Sequence, residues 1–361
     1  MSMEKLDSLG PEVVMHVYDP VTRMKGVIVL DSLKRGPAKG GIRMSSSATK
    51  EEVCGLARAM TLKNALANLP FGGGKSGITV DARLLSSEEK HAQVQAFAKY
   101  LAMVAPDNYV AAPDIAMAEK EMRTIAAIAG NASVTGKPVD LGGIPHELGS
   151  TGYGVYISLQ EFYAHSQESL EHKTVAVQGF GNVGSFAAKF LGEDGSVLVA
   201  ASDSSATLID TEGLDVDALK EFKEAGKRFI DYPTYDKHAA DAVLFVACDI
   251  LIPAAQRNVI TQDNYSCIQA KVISQGANLP ISDEVEVLLE QAGTANIPDI
   301  LANAGGVISS WVEHEGGMQE EIFDHIKRII SQNVSEMLKL IKDKSLSSRD
   351  ACLHIAHARL E

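Results

Sequence analysis

The chain has 361 residues, of which 45% are hydrophobic and 22% are charged, a composition typical of a globular protein with room for two domains. Its formal net charge of −14 argues against a nucleic acid or an anionic membrane as partner, since both bind basic surfaces. The four cysteines are scattered and form no CxxC pair, which favours reduced thiols over disulfides or a zinc site. No secretion signal and no apolar run long enough for a membrane helix is found, so a cytoplasmic protein is expected.

Strands and helices alternate along the first third of the chain. Short apolar runs rich in β-branched residues predict strands, among them KGVIVLD, SGITVDA and NYVAAPDI. Apolar positions at helical spacing predict a helix over 50–68, with Thr49 as its N-cap and Glu52 completing a capping box. The alternation predicts an α/β domain over residues 1–135.

A stretch dense in Gly and Pro, TGKPVDLGGIPHELGSTGYG, is interpreted as the junction to a second domain. Beyond it, a predicted helix over 153–167 leads into further alternation, with SVLVAASD and DAVLFVACDILIPAA predicted to be strands. The last part of the chain has the spacing of amphipathic helix. These patterns predict a second α/β domain over 136–330 and a helical C-terminal segment over 331–361.

The segment VAVQGFGNVG is an apolar strand followed directly by GxGxxG, formed by Gly179, Gly181 and Gly184. Such glycines allow a tight turn and close approach of a pyrophosphate, which then faces the N-terminus of the following helix. A lone GxGxxG is weak evidence, and a structural turn without a ligand is the alternative. Here Asp203 closes the next strand, about 20 residues on, where a carboxylate can bind a ribose 2′-OH and repel a 2′-phosphate. The segment predicts NAD as cofactor in preference to NADP.

Three lysines lie among glycine, small and apolar residues instead of in the mixed charges of an exposed helix: Lys39, Lys63 and Lys75. The alternative for each is a solvated charge, and for Lys75 in LPFGGGKSGI it is the edge of a Gly-rich turn before a strand. Asp114 lies at a predicted strand end, where α/β sites are usually assembled. If the lysines converge, repulsion and burial lower a lysine pKa, so that a neutral amine is available near pH 7. With a nicotinamide cofactor, this set predicts oxidation of an amino acid.

The chain resembles the glutamate/leucine/phenylalanine/valine dehydrogenase superfamily over nearly its whole length. The resemblance is carried by GPAKGGIRM, MTLKNALANLPFGGGKSGI, VAAPDIAM, SVTGKPVDLGG, VAVQGFGNVG, CDILIPAA, QGANLP and NAGGVISSWVE. It implies an NAD(P)-dependent enzyme that deaminates an L-amino acid to the 2-oxo acid and ammonia, and that catalyses the reverse amination. It also implies that 1–135 bind substrate and oligomerise, that 136–330 form a Rossmann-type nucleotide domain, and that 331–361 return to the first domain. The active cleft is expected between the domains, and a homo-oligomer, hexamer or octamer, is expected because family members are typically of this kind.

The resemblance implies a role for each matched residue. Lys75 resembles the catalytic lysine, which as a neutral amine activates a water, and Lys63 resembles the lysine that holds the substrate α-carboxylate. Asp114 resembles the aspartate that carries protons to and from the amino nitrogen. The family's pyrophosphate loop, nicotinamide-side motifs and interdomain TG segment correspond to Gly179, Phe180, Gly181, Asn182, Val183, Gly184, Asn278, Asn303 and Thr151.

Two positions separate the glutamate-type members from the leucine-type members. The residue before GGxR is a lysine that binds the side-chain carboxylate in glutamate enzymes, and this chain has Lys39. The third residue after NAGGV is a serine that binds the same carboxylate, and this chain has Ser310. A buried lysine in a pocket for leucine would be a costly unpaired charge. The pair therefore predicts L-glutamate as the substrate.

Three departures from the glutamate pattern favour a branched-chain dehydrogenase of leucine or valine type as the alternative. The segment before GPAKGG is short, GGIPHELGSTG lacks the Arg of the GGSxGRxEATG pattern, and Ser76 replaces a frequent glycine. In this alternative Lys39 bends away to solvent or pairs with a protein carboxylate. His146 in the divergent segment is interpreted as a loop histidine. Alternatives of another class are a different Rossmann reductase and a non-catalytic nucleotide-binding regulatory protein, which would have lost the catalytic lysine or aspartate.

Overall fold

The structure of the protein is a computed structural model that describes residues 7–145 and 148–361. These residues form two compact units. The first contains residues 7–145 together with Val307–Ile322 and Ala356–Glu361, and the second contains residues 148–306 and Phe323–Ile355. The interpretation of His146 falls outside the described residues. No helix in the described ranges is long and apolar enough to cross a bilayer.

The first unit is built on a five-stranded sheet. Its strands are β1 (Val13–Tyr18), β2 (Lys25–Ser32), β3 (Ala38–Met44), β4 (Gly72–Ile78) and β5 (Tyr109–Pro113). In space the order is β1-β2-β4-β3-β5. β2 runs antiparallel to both of its neighbours, whereas β3 pairs in parallel with β4 and β5. The carboxyl ends of β3, β4 and β5 therefore meet at one edge of the sheet.

Three helices precede the second unit in the chain: α1 (Lys50–Leu66), α2 (Ser87–Leu101) and α3 (Glu119–Ala129). Thr49 is the N-cap of α1 as predicted, because its side chain accepts a hydrogen bond from the Glu52 N–H. The predicted capping box does not form, since the Glu52 carboxylate turns away from the helix end and binds Arg43. The cap therefore consists of the single hydrogen bond from the Glu52 N–H to the Thr49 hydroxyl, and the Glu52 carboxylate binds Arg43.

The glycine-rich segment GGGKSGI is strand β4 itself, and all of its residues are buried. A Cβ atom at Gly73 would lie 2.1 Å from the backbone N of Thr61 in α1, and one at Gly74 would lie 2.8 Å from the ring of Tyr109. The glycines thus allow a helix and an aromatic ring to pack directly on the strand backbone. The interpretation of Lys75 as the solvated edge of a turn before a strand is wrong, because β4 lies inside the sheet and α1 covers it.

The second unit is built on a seven-stranded sheet. Its strands are β6 (Thr174–Gln178), β7 (Val197–Ser202), β8 (Thr207–Ile209), β9 (Asp236–His238), β10 (Ile250–Pro253), β11 (Val272–Ser274) and β12 (Ala295–Ile297). The order is β12-β11-β10-β6-β7-β8-β9, in which β8 runs antiparallel to its neighbours β7 and β9 and all other pairs are parallel. β6 is first in the chain and central in the sheet, so the strand order reverses beside it. Ligands of open α/β sheets bind beyond the carboxyl ends of the strands at such a point.

The remaining helices alternate with these strands or follow them: α4 (Ser150–His165), α5 (Asn182–Glu193), α6 (Val216–Glu224), α7 (Asp283–Gln291), α8 (Asp299–Ala302), α9 (Gly305–His314), α10 (Ile322–Lys344) and α11 (Ser348–Ala358). The prediction of strand for all of DAVLFVACDILIPAA is wrong in its first half. Ala242–Phe245 is a 3₁₀ turn that packs against β6, β7 and β8, and its apolar side chains join the core there. An apolar run alone does not distinguish a strand from a buried turn.

Gly73→Ala is expected to destabilise the protein, because the added Cβ cannot fit unless α1 moves away from β4. Overpacking of this kind costs roughly 1–3 kcal/mol in free energy of unfolding, occasionally more. Gly192→Ala in α5 is the matched control, since its Cβ would meet nothing within 4 Å. Urea unfolding compares the two variants. Equal stability would show that the helix does not pack this closely on the strand.

Candidate active site

Lys75 on β4 and Asp114 directly after β5 meet at the edge where the parallel strands end. The Nζ atom of Lys75 lies 2.6 Å from Oδ2 of Asp114, and the two side chains are 10% and 21% exposed. The strand between them contributes Gly41, where a Cβ would lie 2.8 Å from the Asp114 Cβ and 3.1 Å from the Lys75 Nζ. The absence of a side chain at Gly41 therefore leaves the space in which the pair forms.

The same carboxylate oxygen binds a second cation, Arg43 from β3. Its Nε and Nη2 atoms both lie 3.1 Å from Oδ2 of Asp114, and its Nη1 lies 2.6 Å from Oε1 of Glu52. Charges alternate along the resulting chain Lys75–Asp114–Arg43–Glu52. Sequence reasoning did not single out Arg43 or the functional use of Glu52. The pairing of β3 with β5 could have indicated Arg43, because Ile42 lies opposite Pro113 and the next residues, Arg43 and Asp114, therefore follow at the same edge.

Burial is the largest influence on the pKa of Lys75 and lowers it. Asp114 opposes this effect, Arg43 lowers the pKa further and Glu52 raises it, so that the net pKa is below the ordinary lysine value. Burial raises the pKa of Asp114, but the charges of Lys75 and Arg43 outweigh it and hold that pKa below its usual range. The pair therefore combines a carboxylate that stays ionised with an amine that loses its proton more easily than usual. The cation beside Lys75 is an arginine, whereas the sequence argument relied on other lysines.

Lys39 on β3 is only 2% exposed. Its Nζ atom donates to Oγ1 of Thr135 at 2.5 Å and to the carbonyl oxygen of Ala111 at 3.1 Å. It forms no ion pair with a carboxylate anywhere in residues 7–145 or 148–361. Burial lowers the pKa of Lys39 to about 7, Glu313 opposes this effect, and Lys75 and Lys137 lower it further. Two of the three ammonium hydrogens are thus held by neutral acceptors, and one is left for a ligand.

Helix α9 brings Ser310 and Glu313 into the first unit. The buried Glu313 carboxylate accepts hydrogen bonds from the backbone N–H groups of Gly136, Lys137 and Ile144, and so holds this segment in place. Ser310 is half-buried and lies one helical turn before Glu313, on the same side of the helix. Sequence reasoning missed Glu313, because its partners are backbone groups far away in the chain.

Lys63 lies in the last turn of α1 and is buried, as expected for a lysine that serves a ligand rather than solubility. A buried lysine in an apolar setting is uncommon, since burial disfavours its charged form. With Lys39 and Lys75, the first unit therefore buries all three lysines that the sequence singled out.

The segment 179–184 joins β6 to α5 at the point where the strand order reverses. Gly179 has φ of +92°, and a Cβ at Gly184 would lie 2.2 Å from the Gly179 carbonyl oxygen. Gly181 is the N-cap of α5, no side chain caps the helix there, and a Cβ on it would meet nothing within 4 Å. Backbone N–H groups at such a helix start can bind phosphate oxygens. The segment therefore fits the pyrophosphate of a dinucleotide, with Phe180 buried beneath it and Asn182 and Val183 in the first turn.

Asp203 follows β7 as predicted, but its carboxylate is already bound by the protein. Oδ1 accepts from the N–H and the hydroxyl of Ser205, and Oδ2 accepts from Nζ of Lys223 at 2.5 Å and from the Phe229 N–H. Burial raises the pKa of Asp203, and these partners outweigh it and lower the pKa well below its usual range. Lys223 thus neutralises the charge that was expected to repel a 2′-phosphate. Sequence reasoning searched for a cation directly after Asp203, whereas Lys223 reaches it from α6.

Asn278 and Asn303 are brought together in the second unit. Nδ2 of Asn303 donates to Oδ1 of Asn278 and to the carbonyl oxygen of Ala277, both at 3.1 Å. The Asn303 side chain therefore holds the loop after β11 in its conformation. Thr151 lies in the first turn of α4, where its Oγ1 would be 2.9 Å from a Cβ at Gly306.

A glycine loop that fits a pyrophosphate and a buried lysine–carboxylate pair are features of dehydrogenases that use a nicotinamide dinucleotide. Residues 11–129 match the family model described as Glu/Leu/Phe/Val dehydrogenase, dimerisation domain. Residues 142–361 match the model described as Glutamate/Leucine/Phenylalanine/Valine dehydrogenase. The chain belongs to this family of amino acid dehydrogenases, which act on the CH–NH2 group, and the predicted resemblance and two-domain α/β fold are confirmed.

Individual relatives agree with the family match. The chain is 38% identical over 343 residues to the glutamate dehydrogenase of Aeropyrum pernix, which covers 90% of this chain and 82% of that protein. It is 41% identical over 286 residues to the NADP-specific glutamate dehydrogenase of Saccharolobus shibatae, with 77% and 68% covered. The structure of hetero-hexameric glutamate dehydrogenase from Thermus thermophilus, in a Leu-bound form, has a TM-score of 0.87 at 28% identity and covers 97% of this chain and 88% of that one.

Lys75→Ala is expected to lower kcat for amino acid oxidation by roughly 10²–10⁴-fold, the usual contribution of a positioned acid–base group. Asp114→Asn is expected to act similarly. Binding of reduced nucleotide, followed by its fluorescence, should change little, because both residues lie outside the unit that carries the glycine loop. Lys90→Ala is the control, since this lysine pairs with Glu121 instead. Wild-type kcat in either active-site variant would contradict the role assigned to that residue.

Proposed function

We propose that the protein is a glutamate dehydrogenase. It would convert L-glutamate and water to 2-oxoglutarate and ammonium while reducing the nucleotide, and would catalyse the reverse amination. The observation that carries this proposal is the buried Lys39, whose ammonium group has no carboxylate partner in the described part of the chain. A γ-carboxylate supplies that partner in a charge-assisted hydrogen bond worth roughly 1.5–3 kcal/mol net. The similarity to glutamate dehydrogenases supports the same substrate.

The branched-chain alternative requires Lys39 to reach solvent or to pair with a protein carboxylate. Its low exposure argues against the first arrangement, and its two neutral acceptors argue against the second. A leucine side chain would leave the ammonium group buried and unpaired, which disfavours binding. Lys39 therefore supports the acidic substrate over the apolar one.

The acid–base steps follow from the Lys75–Asp114 contact. We propose that Lys63 holds the substrate α-carboxylate and that Lys39 and Ser310 hold the γ-carboxylate, which fixes Cα near the pair. The glycine loop 179–184 would hold a nucleotide whose nicotinamide, when bound, would supply the hydride acceptor, and loss of hydride from Cα would leave the substrate as an iminium. Neutral Lys75 then takes a proton from a water as its oxygen attacks the iminium carbon. Asp114 takes a proton from the substrate ammonium group before hydride loss and returns it to the nitrogen after the water has added. The C–N bond then breaks, the hydroxyl proton leaves with the nitrogen as ammonium, and the 2-oxo group forms. The 2.6 Å contact allows direct proton exchange between the two groups.

We propose NAD as the preferred cofactor and NADP as a usable one. The carboxylate of Asp203 after β7 supports the preference for NAD, because it disfavours a nearby 2′-phosphate. The ion pair with Lys223 weakens that preference, since the lysine supplies a cation at the same place. The glycine loop 179–184, with Thr151, Asn278 and Asn303, is proposed to hold the remainder of the nucleotide.

A homo-oligomer is proposed for the assembly, with a hexamer favoured over an octamer. The match of residues 11–129 to a dimerisation domain supports association through the first unit. The hexameric assembly named for the Thermus thermophilus protein supports the number of subunits. The cytoplasm is the proposed location, because the scattered cysteines form no disulfide among the described residues, as in a reducing compartment.

Lys39→Leu combined with Ser310→Val is expected to lower kcat/KM for glutamate by about tenfold or more, since 1.4 kcal/mol corresponds to a factor of ten. Preference should move toward leucine, valine or norvaline. In the wild type, KM for glutamate should rise above pH 7, because the neutral Lys39 amine must then take up a proton to bind a carboxylate. The double variant should lose that rise. Lys34→Leu at an exposed position is the control. A wild-type kcat/KM that is higher for leucine than for glutamate would overturn the glutamate assignment.

Lys223→Gln is expected to increase the ratio of kcat/KM for NAD to that for NADP, because the Asp203 carboxylate then loses its counter-ion. Asp203→Ser should decrease the ratio, because the lysine remains and attracts a 2′-phosphate. Fluorescence titration with NADH and NADPH measures the same shifts in Kd. Lys220→Gln is the matched control on α6, since that lysine pairs with Glu224. If both variants leave the ratio unchanged, the pair does not contact the adenosine ribose.

A further inference from the structure

The ion pair between Arg43 and Glu52, in which Arg43 also binds Asp114, is not used by the proposed mechanism. We propose that Arg43 and Glu52 are positioning residues for the reaction. Arg43 fixes the Asp114 carboxylate against Lys75, and Glu52 holds Arg43 in place. The inference rests on the proposed function of Lys75 and Asp114 as the acid–base pair.

The geometry restrains the Asp114 carboxylate strongly. Oδ2 accepts three N–H donors, two from Arg43 at 3.1 Å and one from Lys75 at 2.6 Å. Rotation of the carboxylate would break all three contacts together. Oδ1 receives no side-chain hydrogen bond within the described ranges, so that oxygen is available to the amino group of a substrate. Arg43 thus orients Asp114 without blocking it.

Glu52 gives up a local contact in order to hold Arg43. At the third position after the Thr49 N-cap, its carboxylate could close a capping box, and Ser86 and Glu89 do form one at the start of α2. Instead, Oε1 binds Arg43, and Oε2 is buried without a hydrogen-bond partner among the described residues. A buried unsatisfied polar atom costs about 1–3 kcal/mol. A local cost of this size beside the acid–base pair indicates a functional constraint rather than helix stability.

The two residues act on Lys75 with opposite signs. Arg43 carries the same charge as Lys75 and lowers its pKa, whereas Glu52 raises it. Two further charged groups interact with Lys75: Asp114, which raises that pKa, and Lys39, whose own pKa is lowered by Lys75. On the other side, β2 places Val29 opposite Lys75. Burial of the cluster strengthens each of these effects, because water screens them poorly.

The test compares Arg43→Gln with Glu52→Gln. Activity requires neutral Lys75, so kcat rises with pH through the pKa of this lysine. Arg43→Gln removes a like charge and should move this acidic limb to higher pH by about one unit or more. Glu52→Gln removes an opposite charge and should move the limb to lower pH. Both variants break the same ion pair, so a purely structural role would lower the rates without opposite shifts.

Arg58→Gln is the matched control, because this arginine of α1 also binds two carboxylates, those of Asp7 and Asp31, away from Lys75. The acidic limb of the kcat–pH profile of this variant should stay at the wild-type pH. Shifts of Arg43→Gln and Glu52→Gln in the same direction, or no shift in either, would overturn the inference. If Arg43→Gln does not fold, as judged by circular dichroism, the direction of the Glu52→Gln shift alone decides.

A second readout needs no turnover. Acetic anhydride labels neutral amines, and the labelling of Lys75 in the ligand-free protein across pH, followed by peptide mass spectrometry, reports its proton directly. Opposite shifts in this profile would support the roles of Arg43 and Glu52 even if the wild type did not oxidise glutamate, in which case only the proposed function would fail. If the wild type oxidises glutamate but neither variant shifts the labelling profile of Lys75, the roles of Arg43 and Glu52 are wrong and the proposed function is unaffected.

Discussion

Burial of positive charge in one small sheet is the constraint on which the first unit depends. Arg43, Lys75 and Lys39 all project from the neighbouring strands β3 and β4, and each is compensated to a different degree. Arg43 binds two carboxylates, Lys75 binds one, and Lys39 binds only neutral oxygens. A fully compensated cation is suited to hold a structure, a half-compensated one to exchange protons, and an uncompensated one to bind an anionic ligand. The gradient of compensation thus matches the three roles proposed for these side chains.

The architecture was largely accessible from the sequence because it depends on local patterns. The βα turn with GxGxxG, the strand that ends at Pro113 and the N-cap at Thr49 are all short-range signals, and the structure contains each of them. For the glycine run before Lys75, the sequence left a turn open as an alternative, for a related reason. Glycine usually marks a turn, and only the helix packed on the strand, which is remote in the chain, makes glycine necessary inside β4.

The candidate sites were accessible only in part, because side-chain partners are set by the fold. The residue types at Lys75 and Asp114 predicted a site, yet the partner of Glu52 could not be read from its position in α1. Asp203 was identified from its place after a predicted strand, but its neutralisation by Lys223 depends on where the fold places α6. Glu313 binds backbone groups far from it in the chain, which have no sequence signature. The sequence pattern therefore predicts which charged residues belong to a site, whereas the packing of the fold determines their partners.

The way in which Lys39 is held has a consequence for inhibition. In the proposed function, its ammonium group binds the γ-carboxylate of the substrate, which the reaction leaves unchanged. Glutamate, 2-oxoglutarate and any five-carbon dicarboxylate offer Lys39 the same group at the same distance from Cα. The contact with Lys39 therefore does not distinguish substrate from product, and a dicarboxylate without nitrogen forms the same contact as glutamate. Saturated dicarboxylates of matching length are therefore natural competitors, and recognition of nitrogen falls to the Asp114 end of the pocket alone.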